Sequence, residues 1–125
     1  MAQPIRRVLV VDDNRDGANS MAILLRLLGN DVKTAHDGIE AIEVAESYSP
    51  EIILMDIGLP RLNGLDATRR IRENPWGETI KIIALTGLAQ EDDRQRSHDA
   101  GCDGHLVKPV NLPDLQKMLA ESSGD

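Results

Sequence analysis

The stretch Val8-Leu9-Val10-Val11-Asp12-Asp13-Asn14 joins four consecutive aliphatic residues to a pair of carboxylates. A short apolar run without polar alternation is typical of a strand that is buried on both faces. Further runs of this kind occupy residues 31–35, 52–55, 82–85 and 105–107, the first of them being the weakest. Segments with helical spacing lie between and after them. This alternation predicts an α/β fold, a doubly wound parallel sheet of five strands flanked by five helices.

Start and stop signals frame the predicted helices. Gly29 ends the first helix, whose apolar face has the spacing i, i+3, i+4, i+7: Met21, Leu24, Leu25 and Leu28. Asp37 and Glu40 predict a capping box at the start of the second helix, which is expected to present Ile39 and Ile42. The third helix is predicted to end at Asn74-Pro75 and to bury Leu65, Thr68 and Ile71.

The fourth helical segment, roughly residues 90–100, is predicted to be the least anchored. Its sequence Glu-Asp-Asp-Arg-Gln-Arg-Ser-His-Asp contains no large apolar side chain, so little apolar area can be buried beneath it. Elements of this kind lie at the low-stability end of a fold. The last helix, which Asn111 is expected to cap, has an ordinary apolar face.

Chemically distinctive residues follow four of the predicted strands. Asp12 and Asp13 follow the first strand, Asp56 the third, Thr86 the fourth and Lys108 the fifth. Ligands bind at this carboxyl edge of open parallel sheets, and an all-oxygen donor set suits Mg²⁺. The formal charges of the three carboxylates, one Mg²⁺ and the lysine sum to zero, so an added phosphoryl group leaves the cluster near neutral. The pattern predicts phosphoryl transfer to an aspartate.

Each of these residues also has a purely structural interpretation. Asp12 and Asp13 could be an acidic pair at a helix start, and Asp56 could be a turn or cap residue. Thr86 and Lys108 could belong to an ordinary strand exit and an ordinary loop. The functional interpretation is favoured because all of them fall in register on the ends of four strands.

The composition excludes several classes of protein. The 125 residues include 21 acidic and 14 basic ones, a net charge of −7, so direct binding to nucleic acid is not expected. Aromatic residues make up only 2%, which leaves no platform for base stacking. The single cysteine, Cys102, cannot form an internal disulfide. Without an apolar run of membrane length or a signal peptide, we expect one soluble cytoplasmic domain over residues 1–125.

Six motifs together resemble the receiver domain of bacterial two-component response regulators, and the resemblance covers residues 6–120. They are Val-Leu-Val-Val-Asp-Asp-Asn (8–14), Ile-Leu-Met-Asp-Ile-Gly-Leu-Pro (53–60), Asn-Gly-Leu (63–65), Ala-Leu-Thr-Gly (84–87), Ala-Gly-Cys-Asp (100–103) and Val-Lys-Pro (107–109). The resemblance implies a flavodoxin-like sheet in the order 2-1-3-4-5. It also implies that the domain turns over no separate substrate and is not an enzyme in that sense. Instead, the domain would promote its own phosphorylation, with a histidine kinase or a histidine phosphotransfer protein as the phosphodonor.

The resemblance assigns the phosphoryl and metal chemistry by motif position. Asp56 matches the phosphoacceptor, which takes the phosphoryl group from a phosphohistidine. Asp13 matches a direct Mg²⁺ ligand, Asp12 a ligand through water, and Gly58 a ligand through its backbone carbonyl. Lys108 matches the ammonium that pairs with the phosphoacceptor and then holds a phosphoryl oxygen.

The resemblance also implies a switch. Thr86 matches the hydroxyl that turns toward the phosphoryl group, and Gly87 keeps the approach open beside it. A cis peptide is expected between Lys108 and Pro109. The face formed by the fourth helix, fifth strand and fifth helix would then change shape for an unknown output partner. His105 departs from the family here, because its position usually carries Tyr or Phe as part of the switch.

In the resembled family, the positions of Gly58 and Leu88 often tune the lifetime of the phosphoaspartate. Whether these two residues lengthen or shorten that lifetime is not predicted. The chain could be a stand-alone receiver, as Met1 weakly suggests, or the receiver piece of a hybrid histidine kinase. A phosphatase of the haloacid-dehalogenase class is disfavoured because the D-x-D-x-T run is absent. A flavin binder is disfavoured by the scarcity of aromatic residues, and a pure interaction module by the intact set of acidic residues.

Overall fold

Strands and helices alternate through the parts of the chain that the computed structural model describes, residues 6–59, 61–87 and 91–121, with the backbone alone for residues 91–94. The strands are β1 (Arg7–Val11), β2 (Asp31–Ala35), β3 (Ile52–Asp56), β4 (Lys81–Thr86) and β5 (Gly104–Val107). The helices are α1 (Arg15–Leu27), α2 (Gly38–Tyr48), α3 (Gly64–Arg72), α4 (Glu91–Ala100) and α5 (Leu112–Glu121), with a 3₁₀ helix at Pro75–Gly77. None of the helices in these ranges has the length and apolar character needed to cross a membrane.

The five strands form one parallel sheet in the order β2-β1-β3-β4-β5. This confirms the predicted topology. Crossover connections of parallel strands place helices on both faces of such a sheet. Here α1 and α5 pack on one face, whereas α2 and α3 pack on the other.

The two faces of the sheet divide the core between alternate residues of each strand. In β1, Val8 and Val10 point toward α1 and α5, and Leu9 and Val11 point toward α2 and α3. Every residue of β3 is buried, as expected for the central strand of a sheet covered on both sides. The strands lack polar alternation in the sequence because helices cover both faces of the sheet.

The predicted helix ends are confirmed, with one shift in a hydrogen bond. Gly29 has φ +95° just after α1, a conformation that favours glycine. Asp37 caps α2 by accepting from the N–H of Glu40 at 2.8 Å. In a capping box, the Glu40 carboxylate would accept from the N–H of Asp37. Here it accepts from the N–H of His36 at 2.6 Å.

The buried face of α2 differs from the prediction. Ala41 and Ala45 are fully buried, whereas Ile39 and Ile42 are half-buried. The prediction is confirmed in part, because Ile42 packs against the core, but it missed the alanines since it weighed the size of the side chains and not their positions. Small residues under a helix let it lie close to the sheet, and Ile42 packs at the margin of that core.

Polar contacts fix the end of α4, which begins at Glu91 in the structure, with residue 90 outside the described part. Among its described side chains only Ser97 and Ala100 are buried, in agreement with the predicted lack of apolar anchors. Arg72 of α3 donates from Nε to the Gly101 carbonyl at 2.9 Å and from Nη2 to Asp103 at 2.8 Å. These bonds tie the connection between α4 and β5 to the end of α3.

Candidate functional site

The carboxyl edge of the sheet brings the predicted residues together. Asp12 follows β1, Asp56 ends β3 and Lys108 follows β5. Carboxylate oxygens of Asp12, Asp13 and Asp56 lie within 4.8 Å of one another. Asp12 and Asp56 are each 8% exposed, while Asp13 is exposed to solvent. The edge therefore holds an acidic cluster with two buried members and one that faces outward.

A hydrogen bond from a neighbouring backbone group orients the Asp12 carboxylate. Its Oδ1 accepts from the N–H of Asn14 at 3.0 Å. Asn14 in turn begins α1, because its side-chain oxygen accepts from the N–H of Gly17 at 3.1 Å. The tight turn after β1 thus converts the strand into a helix and leaves Asp12 and Asp13 at the junction.

The loop after β3 positions Asp56 in a similar way. Oδ1 of Asp56 accepts from the N–H of Gly58 at 3.0 Å. A side chain at Gly64 would collide with the backbone carbonyl of Asp56, so this glycine lets α3 begin directly against the end of β3. The structure thereby places Gly58 beside the cluster, as predicted, and the role of its carbonyl as a ligand stays a prediction.

Lys108 reaches the cluster from the end of β5, on the far side of β3 from Asp12. Its Nζ lies 3.0 Å from Oδ2 of Asp56 and 3.1 Å from Oδ2 of Asp12. The peptide bond between Lys108 and Pro109 is cis, as the family resemblance implied. Burial acts to lower the pKa of Lys108, but its hydrogen bonds to Asp56 and Asp12 outweigh burial and raise the pKa above the ordinary value. The lysine is therefore fully charged at neutral pH.

The charges of the cluster do not cancel. Three carboxylates at −1 each and one ammonium at +1 leave a net charge of −2 at an edge that offers oxygen donors. Hard divalent cations prefer such donors, and Mg²⁺ is commonly held by one or two carboxylates with water and phosphate oxygens. The residues present therefore fit a magnesium ion held by Asp12, Asp13 and Asp56.

Thr86, at the end of β4, carries a buried hydroxyl group. It is 2% exposed, and its Oγ1 has no hydrogen-bond partner among the described residues. A buried hydroxyl without a partner costs free energy, and such groups are rare enough in folded proteins to call for a functional explanation. Gly87, the next residue, is exposed, and a side chain added there would meet no atom of the described residues within 4 Å.

His105 lies on the same face of the sheet as Thr86. Ala84 pairs with His105 and Thr86 pairs with Val107, so the two side chains point the same way from adjacent strands. His105 is half-buried and lines a cavity of about 140 Å³ between α4 and β5. Leu88, whose effect on the lifetime of the phosphoaspartate was left open, lies outside the described residues.

Two features of the site were not found by sequence reasoning. The ring of His36 contacts the backbone carbonyl of Asp12, with Nδ1 3.0 Å from the oxygen. A groove of about 530 Å³ also runs from Asp12 and Lys108 along α1, past Met21 and Leu24. The groove could have been inferred from the half-buried apolar face of α1, but no local pattern marks His36.

Comparisons with known proteins agree with this geometry. The sequence model of the response regulator receiver domain family matches residues 8–120. The polar-differentiation response regulator DivK of Brucella anthropi is 29% identical over 120 residues, which cover 96% of this chain and 98% of DivK.

Two solved structures extend the likeness. The receiver domain of sensor histidine kinase PA1611 from Pseudomonas aeruginosa PAO1, with a magnesium ion coordinated in its active site cleft, has a TM-score of 0.89 and 38% identity, covering 98% of this chain and 100% of that one. The co-crystal structure of the Saccharomyces cerevisiae histidine phosphotransfer protein Ypd1 and the receiver domain of Ssk1 contains a chain with a TM-score of 0.89 and 30% identity. The match covers 97% of this chain and 90% of that one.

Proposed function

The chain belongs to the family of response regulator receiver domains, which act in two-component signalling, and we propose that it accepts a phosphoryl group on Asp56. The observation that carries the proposal is the position of Lys108, whose Nζ contacts Asp56 and Asp12 at 3.0 and 3.1 Å. A single ammonium between two buried carboxylates is poised to hold a phosphoryl oxygen once one of them is modified. Residues 1–125 would form one receiver domain, located in the cytoplasm.

In the proposed reaction, an oxygen of Asp56 attacks phosphorus and forms an O–P bond. The N–P bond of a phosphohistidine breaks, and its electron pair stays on the imidazole, which leaves with a proton from solvent. Catalysis consists of positioning and charge stabilisation, because Lys108 neutralises charge on the phosphoryl oxygens while Asp56 is held in line.

The acidic cluster would hold Mg²⁺, as the cleft of the PA1611 receiver domain does. We propose Asp13 and Asp56 as direct ligands, Asp12 as a ligand through water, and the backbone carbonyl of Gly58 as a further one. When bound, Mg²⁺ supplies positive charge that allows an anionic phosphoryl group to enter an acidic site. Asp12 and Asp13 would orient it, and Lys108 would balance the remaining charge.

Thr86 would carry the signal away from Asp56. Its buried hydroxyl lacks a partner among the described residues, and a phosphoryl oxygen would supply an acceptor. Inward movement of Thr86 would make room for His105 on the same face, and the surface of α4, β5 and α5 would change for an output partner. Little apolar burial holds α4 in its described part, which favours such a change.

The phosphodonor would be a histidine kinase or a histidine phosphotransfer protein. The Ypd1–Ssk1 complex supports a phosphotransfer protein, since it pairs one with a receiver domain of the same fold. The match to the receiver domain of a sensor histidine kinase, at 38% identity, favours a second candidate, in which this receiver is part of a hybrid kinase. The receiver chemistry is the same in both cases.

Labelling with a small phosphodonor such as acetyl phosphate tests the proposal. We expect Mg²⁺-dependent phosphorylation of the wild type, none with a chelator, and none for Asp56→Asn. Asp99→Asn, which changes an exposed carboxylate of α4, is the matched control and should be labelled normally. Undiminished labelling of Asp56→Asn would contradict the assignment. Hydrolysis of small phosphate esters by the wild type, with repeated turnover, would contradict it as well.

A further inference from the structure

The imidazole of His36, directly after β2, contacts the backbone of the acidic pair. Its Nδ1 lies 3.0 Å from the carbonyl oxygen of Asp12. A carbonyl oxygen can only accept a hydrogen bond, so Nδ1 carries the proton and donates. The N–H of Asp12 donates to the carbonyl of Ala35 at 3.0 Å. Both backbone hydrogen-bonding groups of Asp12 are therefore bound by the end of β2.

The Asp12 carbonyl belongs to the peptide that joins Asp12 to Asp13. Because this peptide is planar, the position of its carbonyl also fixes the positions of the Asp13 nitrogen and Cα, from which the Asp13 side chain departs. Asp13 is exposed, and the described part of the chain shows no hydrogen bond or ion pair to its carboxylate. The Asp12 carboxylate, by contrast, is bound by Asn14 and Lys108. The direction of the Asp13 carboxylate thus depends on its backbone.

His36 is itself supported by the start of α2. Its N–H donates to the Glu40 carboxylate at 2.6 Å, and the N–H of Glu40 donates to Asp37 at 2.8 Å. Asp37 also accepts from Arg61, in the loop after β3, at 3.0 Å. A continuous chain of hydrogen bonds therefore runs from that loop through the helix start to the backbone of Asp12, on the side of the site away from Lys108.

We propose that His36 is a positioning residue for the metal site, acting through the Asp12 carbonyl to aim the Asp13 carboxylate. The inference rests on the proposed function, in which Asp13 is a direct Mg²⁺ ligand. His36 does not touch the ion or the phosphoryl group. It holds the one ligand whose side chain the described residues leave unsupported, and groups that orient metal ligands commonly change metal affinity when they are lost.

Three variants separate this role from simple packing. His36→Leu places an apolar side chain of similar bulk at this position and removes the N–H donor of the imidazole. His36→Asn retains a donor, because the side-chain amide nitrogen of Asn can occupy the place of Nδ1. His98→Leu makes the same change at an exposed histidine of α4 and is the control. Mg²⁺ affinity is measured by calorimetry, and the unfolding of each variant is followed in chelator.

We expect His36→Leu to bind Mg²⁺ about five- to tenfold more weakly, the effect of losing one hydrogen bond. His36→Asn and His98→Leu should bind like the wild type. In phosphorylation by acetyl phosphate, the Mg²⁺ concentration for half-maximal rate should rise for His36→Leu by the same factor, with the rate at saturating Mg²⁺ unchanged. Equal Mg²⁺ affinity of His36→Leu and wild type would overturn the inference, and so would equal weakening in His36→Leu and His36→Asn.

A measurement on the unmodified protein gives an independent answer if His36→Leu does not fold. Nitrogen NMR of the wild type at about pH 8, where an ordinary imidazole is neutral, should show His36 protonated at Nδ1. Protonation at Nε2 instead would overturn the inference. Failure of the wild type to bind Mg²⁺ would contradict the proposed function itself, whereas an unaffected His36→Leu alongside a binding wild type would contradict only the role of His36.

Discussion

The ammonium of Lys108 and the carboxylate of Asp56 lie 3.0 Å apart, although 52 residues separate them in the sequence. A second contact, at 3.1 Å, joins the same ammonium to Asp12. One flexible side chain therefore satisfies two buried carboxylates from different strands. The contact links the electrostatic balance of the site to the stability of the whole sheet, because β1, β3 and the end of β5 all contribute to it.

Replacement of this ammonium should destabilise the metal-free protein. Lys108→Met removes the cation that the described residues provide for Asp12 and Asp56, and we expect a loss of about 1–2 kcal/mol in the free energy of unfolding. This is less than for a fully buried pair because the Lys108 side chain is 34% exposed. Urea denaturation in chelator measures the loss, with Lys117→Met on α5 as the control. Equal stability of wild type and Lys108→Met would contradict the prediction.

The same contact predicts a dependence on alkaline pH. Since the folded pKa of Lys108 is raised, its stabilising effect is complete below the unfolded pKa and disappears as pH rises through the folded value. The difference in stability between wild type and Lys108→Met should be constant from about pH 7 to 9 and shrink above the ordinary lysine pKa of about 10.4. A difference that shrinks between pH 7 and 9 would show that another group is responsible.

Thr86→Val should stabilise the unphosphorylated protein. The substitution removes a buried hydroxyl that has no partner among the described residues, and we expect a gain of about 1 kcal/mol in unfolding free energy. Thr68→Val is the matched control, because Thr68 is equally buried but donates to the Gly64 carbonyl at 2.8 Å. That variant should lose about 1 kcal/mol. Destabilisation by both substitutions would indicate that Thr86 already has a partner in solution.

The fluorescence of Trp76 should be insensitive to the site. Trp76 lies in the 3₁₀ helix before β4, at the amino edge of the sheet, whereas Asp56 and Thr86 lie at the carboxyl edge. We expect little change in its emission when Mg²⁺ binds or Asp56 is phosphorylated. Ile57→Trp combined with Trp76→Phe places an indole beside Asp56 and should respond. Strong quenching of the native Trp76 by Mg²⁺ would refute the predicted insensitivity.

His105 should make partner binding sensitive to pH. An inward movement of its ring would bury it, and a charged imidazole is costly to bury, so the active conformation favours neutral His105. Among the described side chains, the groups that face His105 are His98 of α4 and Asp103. A second cavity beside β5 is lined by Lys81, Asp114, Lys117 and Glu121. We expect the affinity of the phosphorylated protein for its output partner to fall as pH drops through about 6.

The control for this prediction is His105→Tyr, which places the family's usual residue type at this position. Its affinity for the partner should not change over the same range, and His98→Asn should keep the pH dependence of the wild type. Affinity is measured from about pH 8 to 5.5 with phosphorylation kept saturated. Identical profiles for wild type and His105→Tyr would show that His105 is only a solvated contact residue.

The sequence predicts the fold and the location of the site for the same reason. Aliphatic runs such as residues 8–11 and 52–55 are local signals, and the residue after each run must lie at one edge of a parallel sheet. Asp12, Asp56 and Lys108 could therefore be brought together without coordinates. The second contact of Lys108, to Asp12, could not, since it depends on the conformation of a long side chain.

Contacts between distant segments explain what else was missed. His36 reaches the Asp12 carbonyl and Arg72 reaches Gly101 and Asp103 through hydrogen bonds to backbone or to distant side chains, which leave no periodic pattern in the sequence. The buried face of α2 was assigned to isoleucines because apolar size is visible in sequence, whereas the distance between a helix and its sheet is not.

The contact between Lys108 and Asp12 spans 96 residues, which has a consequence for biosynthesis. While the chain is still on the ribosome, Asp12 and Asp56 are made long before the ammonium that contacts them. In the proposed reaction, a nascent chain that still lacks Lys108 should therefore accept no phosphoryl group from its donor. Division of the chain after the exposed Glu78 would place Asp56 on one fragment and Thr86 and Lys108 on the other. Recovery of phosphorylation on mixing the two fragments would then report their association.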